Sequence, residues 1–478
     1  MEQMLPSSVN YLDVLPKAVP SEKTRRRFYS SNGRTFGANQ TIKINLESTR
    51  SFLDPSNCYL EFNFQNTTGQ TFNPDLGGAY NFIKNFRIHQ AGNEICRVNN
   101  VNRLMAGIIV PSTNSMGIGA NDSIVGFQPY GNAAGAGNLN NPVAGGATDG
   151  AILLNSAFSA VNDFGLGASL KFTMPLLFSL FSQSGNGAAK LLPLPLLNHP
   201  IELYFDLCSN DEPGIFAAAP APWVIDDVSV VADLVEVPRD VIGFMKELQM
   251  MHGGSLAIQG QSYEHQTGNI QPQVGNQVIN IPSRKKSIKS VFFVSKSDTY
   301  PAGAGADFDT FNLSYGGQSS IGSFFLRAGA LVMPQPAVVC TGNNNLAAAA
   351  EHKRGEQFTE LKKALGRLGS SIGTGNISRL TYGVLDGDNS DGMGGKQSPT
   401  GGELVAVCPF GLSLDAYQNE AVRAGLDTQT LSLELQLHLD IVDTGGAGIQ
   451  AEVHNVDIFT LYDVQYYFNS SGTITFED

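Results

Sequence analysis

Seven histidines, five cysteines and many carboxylates could supply metal or acid–base chemistry to this chain of 478 residues, but their spacing does not assemble it. His89, His199, His252, His265, His352, His438 and His454 never fall at HxH or HExxH separation, so no zinc-type ligand set is expected. His438 lies on the polar side of an alternating run and reads as a satisfied surface histidine. Asp386, Asp388, Ser390 and Asp391 open like a calcium loop. Asp391, however, stands where such a loop requires glycine, and Gln397 stands where it closes with glutamate, so a polar turn is the better reading. Gly392, Gly394, Gly395 and Lys396 imitate a phosphate loop without its first glycine, and Gln397 replaces the Ser/Thr. Asp226 and Asp227, as neighbours on a strand, point to opposite faces and cannot share a proton. Cys58, Cys96, Cys208, Cys340 and Cys408 show no CxxC spacing and read as small buried hydrophobes, folded in a reducing compartment. No catalytic, cofactor-binding or metal-binding residue is assigned, and the expectation is a protein that is not an enzyme.

The elements that carry these residues read as β-structure. With 52 glycines, 23 prolines and only 15% charged residues, the chain suits short strands and long loops, not helical bundles or doubly wound α/β enzymes. The formal charge of −13 repels phosphate backbones. Basic residues concentrate only at KTRRR, residues 23–27, and RKKSIK, residues 284–289. Composition favours reading these as a solvated arm and as a patch that pairs with a neighbouring subunit. Neither a secretory signal nor a transmembrane helix is expected.

Residues 174–208 are intensely apolar, yet Pro175, Pro193, Pro195 and Pro200 forbid one long helix. Beyond Pro200, Ile201, Leu203, Phe205 and Leu207 alternate with Glu202, Tyr204 and Asp206, the pattern of a half-buried antiparallel strand. Similar strand-like runs lie at 41–46, 58–64, 81–98 (a hairpin turning at Ala91-Gly92-Asn93), 169–172 and 223–237. A Pro-led pattern at 238–248 predicts a short connecting helix. Further runs follow at 256–263, 277–281, 290–295, 322–332, 378–391, 430–442 and 456–468, with a last hairpin centred on Gly472. Residues 110–150, rich in Gly, Asn and Ala, predict a surface excursion. In the stretch 346–368, Phe358, Leu361, Leu365 and Leu368 share one helical face that predicts packing across a β domain.

Each half thus contains strands, one long insertion, and more strands. The expected fold is all-β: two consecutive eight-stranded antiparallel jelly rolls with long loops and a few short helices. The expected boundaries are an N-terminal arm over 1–35, a first roll over 36–238 and a second over 239–478.

The order MPLLFSLF, LLPLPLLNHPIELYFDL and VADLVEVPRDVIGFM resembles the first roll of double jelly-roll major capsid proteins of eukaryotic DNA viruses. In the second half, SFFLRAGALVMPQPAV, EQFTELKKALGRL, AVRAGLDTQTLSLELQLHL and VDIFTLYDVQYYFNSSGTITF are similar to the polinton-like branch of the virophage and adenovirus-like lineage. The resemblance implies a homotrimer forming pseudo-hexagonal capsomers of an icosahedral shell. Its implied partners are neighbouring capsomers, penton and minor capsid proteins, with no small-molecule substrate. It also implies that Arg25, Arg26 and Arg27 in the arm touch genome or internal membrane only indirectly, and that the chain resides in the virion after assembly in the host cytoplasm or nucleus. Two other readings compete: a double jelly-roll scaffold shaping a viral membrane, and a carbohydrate-binding or carbohydrate-active β-sandwich. The latter predicts clustered aromatic platforms, whereas Trp223 is the sole tryptophan.

Overall fold

The computed structural model describes residues 21–67, 77–109, 169–183, 190–215, 220–251, 253–298, 321–340, 355–366, 409–416, 424–430, 434–442 and 453–478. The first half holds β1 (Glu22–Tyr29), β2 (Thr35–Gly37), β3 (Thr41–Leu46), β4 (Ser51–Asn66), β5 (Ile83–Gln90), β6 (Asn93–Asn99), α1 (Val101–Leu104), β7 (Ser169–Pro175), β8 (Ile201–Leu207) and β9 (Trp223–Glu236). Helix α2 (Arg239–Met251) connects it to β10 (Ser255–Ile270), β11 (Gly275–Ile281), β12 (Ile288–Ser297), β13 (Ile321–Ala328) and β14 (Leu331–Val339). Then come α3 (Gly355–Leu365), β15 (Phe410–Ser413), β16 (Leu435–Ile441), β17 (His454–Asn469) and β18 (Ile474–Glu477).

Strand order shows that the two halves repeat one topology. The first pairs β1-β9-β4-β7 and β3-β8-β5-β6; the second pairs β10-β17-β12-β15 and β11-β16-β13-β14. With the short additions β2 and β18 set aside, each half lays its first strand beside its last, then its third, then its sixth. The facing sheet takes the second, seventh, fourth and fifth. All these pairings are antiparallel. This is the eight-stranded, two-sheet jelly roll, formed twice.

Local chemistry accounts for the elements. In β8 every second side chain is buried, because Ile201, Leu203, Phe205 and Leu207 face the core while Glu202, Tyr204 and Asp206 face outward. The β5–β6 hairpin turns on Ala91 (φ 52°) and Gly92 (φ 82°), the paired left-handed residues of the turn that matches strand twist. Pro193 precedes and Pro195 lies within the short 3-10 turn Leu194–Leu196, which leads into β8. Pro334 and Pro336 lie on β14, the terminal strand of its sheet, where missing N–H donors cost no ladder bond.

Three sequence expectations need correction. Residues 22–29 are not irregular arm: they form β1, paired along its whole length with β9. The run 322–332 is not one strand but parts of β13 and β14, reversed at Gly329 (φ 59°). His438 is 8% exposed, not a surface residue, because Phe325 on the adjacent strand stacks over its ring at 4.6 Å. Burial and Arg327 hold its pKa below the ordinary histidine value. The tract 110–150, the strand and turn at 378–391 and the calcium-like and phosphate-like loops lie outside the described residues, as do His352 and Cys408.

Candidate functional site: the seam between the two sandwiches

The residues that the fold gathers most tightly lie where the two rolls meet. One apolar core fills the first sandwich and continues across the joint, taking in Ile258, Phe292, Tyr462, Tyr466 and Phe468 of the second half. A separate core, containing Ile279, Phe293, Phe324, Leu437 and Ile458, fills the inside of the second sandwich. The sheet β10-β17-β12-β15 is therefore buried on both faces. Helix α3 covers part of it: Leu361 and Ala364 are buried, and Ser290 Oγ donates to the Ala364 carbonyl at 2.8 Å. This is the packing that the helical pattern predicts for Phe358, Leu361 and Leu365, while Leu368 lies outside the described residues.

Backbone groups stitch the joint. Ser179 N–H donates to Gln261 O at 2.8 Å and Gln261 N–H to Ser182 O at 2.9 Å, a short bridge between the segment after β7 and β10. Gly260 sits so close to the Ser179 carbonyl that a Cβ would collide with it. Ser179 Oγ and Tyr466 Oη are 2.5 Å apart, and Cys96 Sγ lies 3.2 Å from Ser262 Oγ. The turn between β17 and β18 docks on the first roll. Gln90 Nε2 donates to Gly472 O at 3.0 Å, Asn198 Nδ2 to Ser471 O at 2.7 Å, and Ile474 N–H to Gln90 Oε1 at 2.8 Å.

At the centre of the joint is a buried charge cluster. Arg103, on α1, reaches Glu212 at 3.2 Å in its own roll and Asp457 of β17 at 3.2 Å in the other. His265 Nε2 approaches the second Asp457 oxygen at 2.8 Å, and Asn100 Nδ2 lies 3.1 Å from His265 Nδ1. Burial alone would raise the Asp457 carboxyl, but the His265 hydrogen bond and the Arg103 charge outweigh it and hold it below the usual range. Burial, followed by the Arg103 charge, depresses the nearby Lys296 amine. Arg103, Glu212, Asp457 and His265 are thus linked by ion pairs and hydrogen bonds across the joint. The cluster's chemistry is that of a lock: breaking one partner strands a charge in a dry joint.

The basic runs are also paired within the chain. Arg25 bonds Tyr59, Arg27 pairs with Glu61, and Lys23 lies 2.8 Å from Asp233. Arg26 packs over Phe28 at 4.8 Å. Charged side chains along β1, the terminal strand of its sheet, discourage stray edge pairing. Lys285 and Lys286 pair with Asp478 and Glu477 at the C-terminus. Of the cysteines, Cys58, Cys96, Cys208 and Cys340 are buried, and burial pushes the Cys58 and Cys208 thiols upward, away from reactivity. Among the described residues no cluster of three His, Cys, Asp or Glu side chains sits at metal-binding spacing.

Arg103, Glu212, His265 and Asp457 carry no signal by spacing. The readable clue was acidic residues inside an otherwise apolar strand, VDIFTLYDVQYYF, where Asp457 and Asp463 need buried partners.

Apolar side chains also remain outside. Phe244, Met250 and Met251 on α2 are exposed, as are Val274, Val278, Leu331 and Val339 at strand edges and turns. Beneath α2 runs an apolar groove of about 710 Å³, lined in part by Phe52, Val237, Val241, Met245 and Leu256.

No protein-family model matches the chain, and no curated protein matches it by sequence. Solved structures do match it in fold. PBCV-1 VP54, as fitted into a cryo-EM reconstruction of the virophage Sputnik, aligns over 97% of this chain and 98% of its own at 11% identity, with a TM-score of 0.52. A chain of the Sputnik virophage structure aligns over 99% of this chain and 92% of its own at 10% identity, with a TM-score of 0.53. A chain of the PBCV-1 virus capsid quasi-atomic model gives 97%, 98%, 11% and 0.51 respectively. With its strand order formed twice and matched along nearly its full length, the chain has the double jelly-roll fold of these virus capsid structures.

Proposed function

We propose that the chain is a major capsid protein, a non-enzymatic building block of the icosahedral shell of a DNA virus. The observation that carries this reading is the full-length match of both rolls, in one continuous arrangement, to chains of the PBCV-1 capsid and the Sputnik virophage. The seam supports it in physical terms. A shell needs a rigid brick, and a core shared across the joint, locked by Arg103 and Asp457, prevents the rolls from swinging independently.

In this reading three copies form a pseudo-hexagonal capsomer, since each contributes two similar upright rolls and a closed ring repeats one interface. The exposed apolar residues of α2 and of the β14 edge are the surfaces offered to copies and to penton or minor capsid proteins. Arg25, Arg26 and Arg27 extend from a strand, with Arg27 already paired, so any approach to genome or internal membrane is indirect. The finished protein resides in the virion.

Light scattering on the purified chain, followed by electron microscopy of concentrated samples, tests the proposal. The expected result is a trimer that assembles into hexagonal arrays or shells. A monomer persisting at millimolar concentration, with no ordered assemblies, overturns it.

A further inference from the structure

The second roll buries another charged group that the seam does not use. Lys289 lies on β12 at an irregularity in its ladder with β17: Ile288 opposes Tyr462, and Ser290 opposes Leu461. Such a slip re-aims a side chain. Lys289 Nζ lies 3.1 Å from Asp415 Oδ2 and 3.5 Å from Asp463 Oδ2, and the three side chains are 2%, 4% and 2% exposed.

The surrounding backbone fixes all three. Asp463 is on β17, adjacent to β12, while Asp415 follows β15, on the other side of β12. Leu414 N–H donates to the Lys289 carbonyl at 2.7 Å, which continues the ladder up to Asp415. Asp463 accepts from Ser287 Oγ at 2.7 Å and from Gln261 Nε2 at 3.3 Å. Lysine is almost never this buried unless paired. Here one ammonium faces two carboxylates.

We propose that Lys289 and Asp415 join in an intramolecular isopeptide bond, with Asp463 carrying the protons. Asp463 takes a proton from the Lys289 ammonium, and the freed amine lone pair forms a C–N bond to Cγ of Asp415. One Asp415 C–O bond breaks, and its electron pair stays on the departing oxygen. Asp463 hands its proton to that oxygen, then relays a second from the nitrogen, so the oxygen leaves as water. Asp463 ends as the carboxylate it began. No oxidant or reductant is required, because an ammonium and a carboxylate become an amide and water.

Two features favour the step. The ladders hold the reacting groups in contact, which replaces the entropy of an encounter. The closed surroundings also exclude the water that hydrolysis of the amide would need. Asp415 is the acceptor because it lies nearer, whereas hydrogen bonds from Ser287 and Gln261 fix the position of the Asp463 carboxyl beside the amine. The bond would tie the third strand of the roll to the segment leaving its sixth, clamping the sheet that carries the seam.

Mass spectrometry of the intact, full-length chain tests this directly. The expected mass is lower than the sequence mass by one water. A succinimide at Asp149-Gly150, Asp386-Gly387 or Asp391-Gly392 would lose the same mass, so trypsin digestion must localise it. The proposal requires a branched peptide joining residues 287–296 to residues 397–423, with cleavage after Lys289 blocked. Lys289→Arg is expected to restore the full mass. Asp463→Asn is expected to slow bond formation so that freshly folded protein keeps the full mass. Wild-type protein that retains its full mass after prolonged incubation, or that loses water only on linear peptides, overturns the proposal. Normal bonding in Asp463→Asn overturns the role given to Asp463.

Discussion

Strands β9 and β17 hold the same place in their rolls, each between the first and third strands, yet they bury different chemistry. Strand β9 buries Trp223, Ile225, Val230, Val231 and Leu234, and its acidic residues Asp226 and Asp233 stay at the half-exposed surface. Strand β17 buries Asp457, Thr460 and Asp463 among Val456, Ile458, Phe459 and Tyr466. The cause is what lies behind each sheet. The sheet of β17 has its own partner sheet on one face and the first roll with α3 on the other. A surface residue on β9 corresponds to an interface residue on β17. Duplicating a topology therefore does not duplicate its electrostatics: the roll that receives its neighbour must satisfy charges in the dry joint.

The strongest way to break the contrast is at Asp457. Replacing it with alanine leaves Arg103 and His265 buried against a missing partner and should cost about 3–5 kcal/mol. Denaturant unfolding should then separate into two transitions, one per roll; a single unshifted transition would remove the seam from the account. The same carboxyl gives a pH signature. Its pKa is held low in the folded state, so its contribution is present above the ordinary carboxylate range, near about 3.9, and is lost as pH falls through the folded value. Asp457→Asn should flatten the acid limb of the stability profile, measured by thermal unfolding across pH 2–6 on the order of half-unit steps.

The apolar sides can be compared directly. Phe82 packs edge-on or tilted against Phe62, Phe64, Phe172 and Trp223, with centroids at 5.1–5.9 Å. Among the described aromatic residues, Phe293 meets Phe410, stacked at 4.6 Å, and Phe324 at 5.2 Å. Both alanine variants should lose about 3–5 kcal/mol, with Phe82→Ala nearer the upper end. Equal losses in chemical denaturation would show that the aromatic hub gives the first roll no special share. Gly260→Val should force the joint apart at Ser179 and cost about 1–3 kcal/mol, with faster amide exchange at Gln261 as the local readout. The smallest effect is expected from Arg27→Ala, within about 1 kcal/mol. That pair is partly exposed, and Lys171 still faces Glu61 at 2.7 Å.

How much was legible follows the same division. Where one face is buried, alternation in the sequence matches the structure, as in β8 and in β3. The Ala91-Gly92 turn and the Pro-led helix α2 were equally readable, because their signals are local. Edge strand β1 was not: seven of its eight residues, all but Phe28, are exposed, and polar composition mimics an arm. His438 was misplaced because pattern assigns a face but not what covers that face.

By itself, then, the sequence determined the class of fold and its two successive series of strands. These depend on periodicity, turn chemistry and spacing, which act over a few residues. Only the tertiary structure decided that Arg103 meets Asp457 across 354 positions and that Lys289 lies between Asp415 and Asp463. Such contacts are fixed by which sheet face becomes an interface, and that choice depends on packing two finished rolls together rather than on any local pattern.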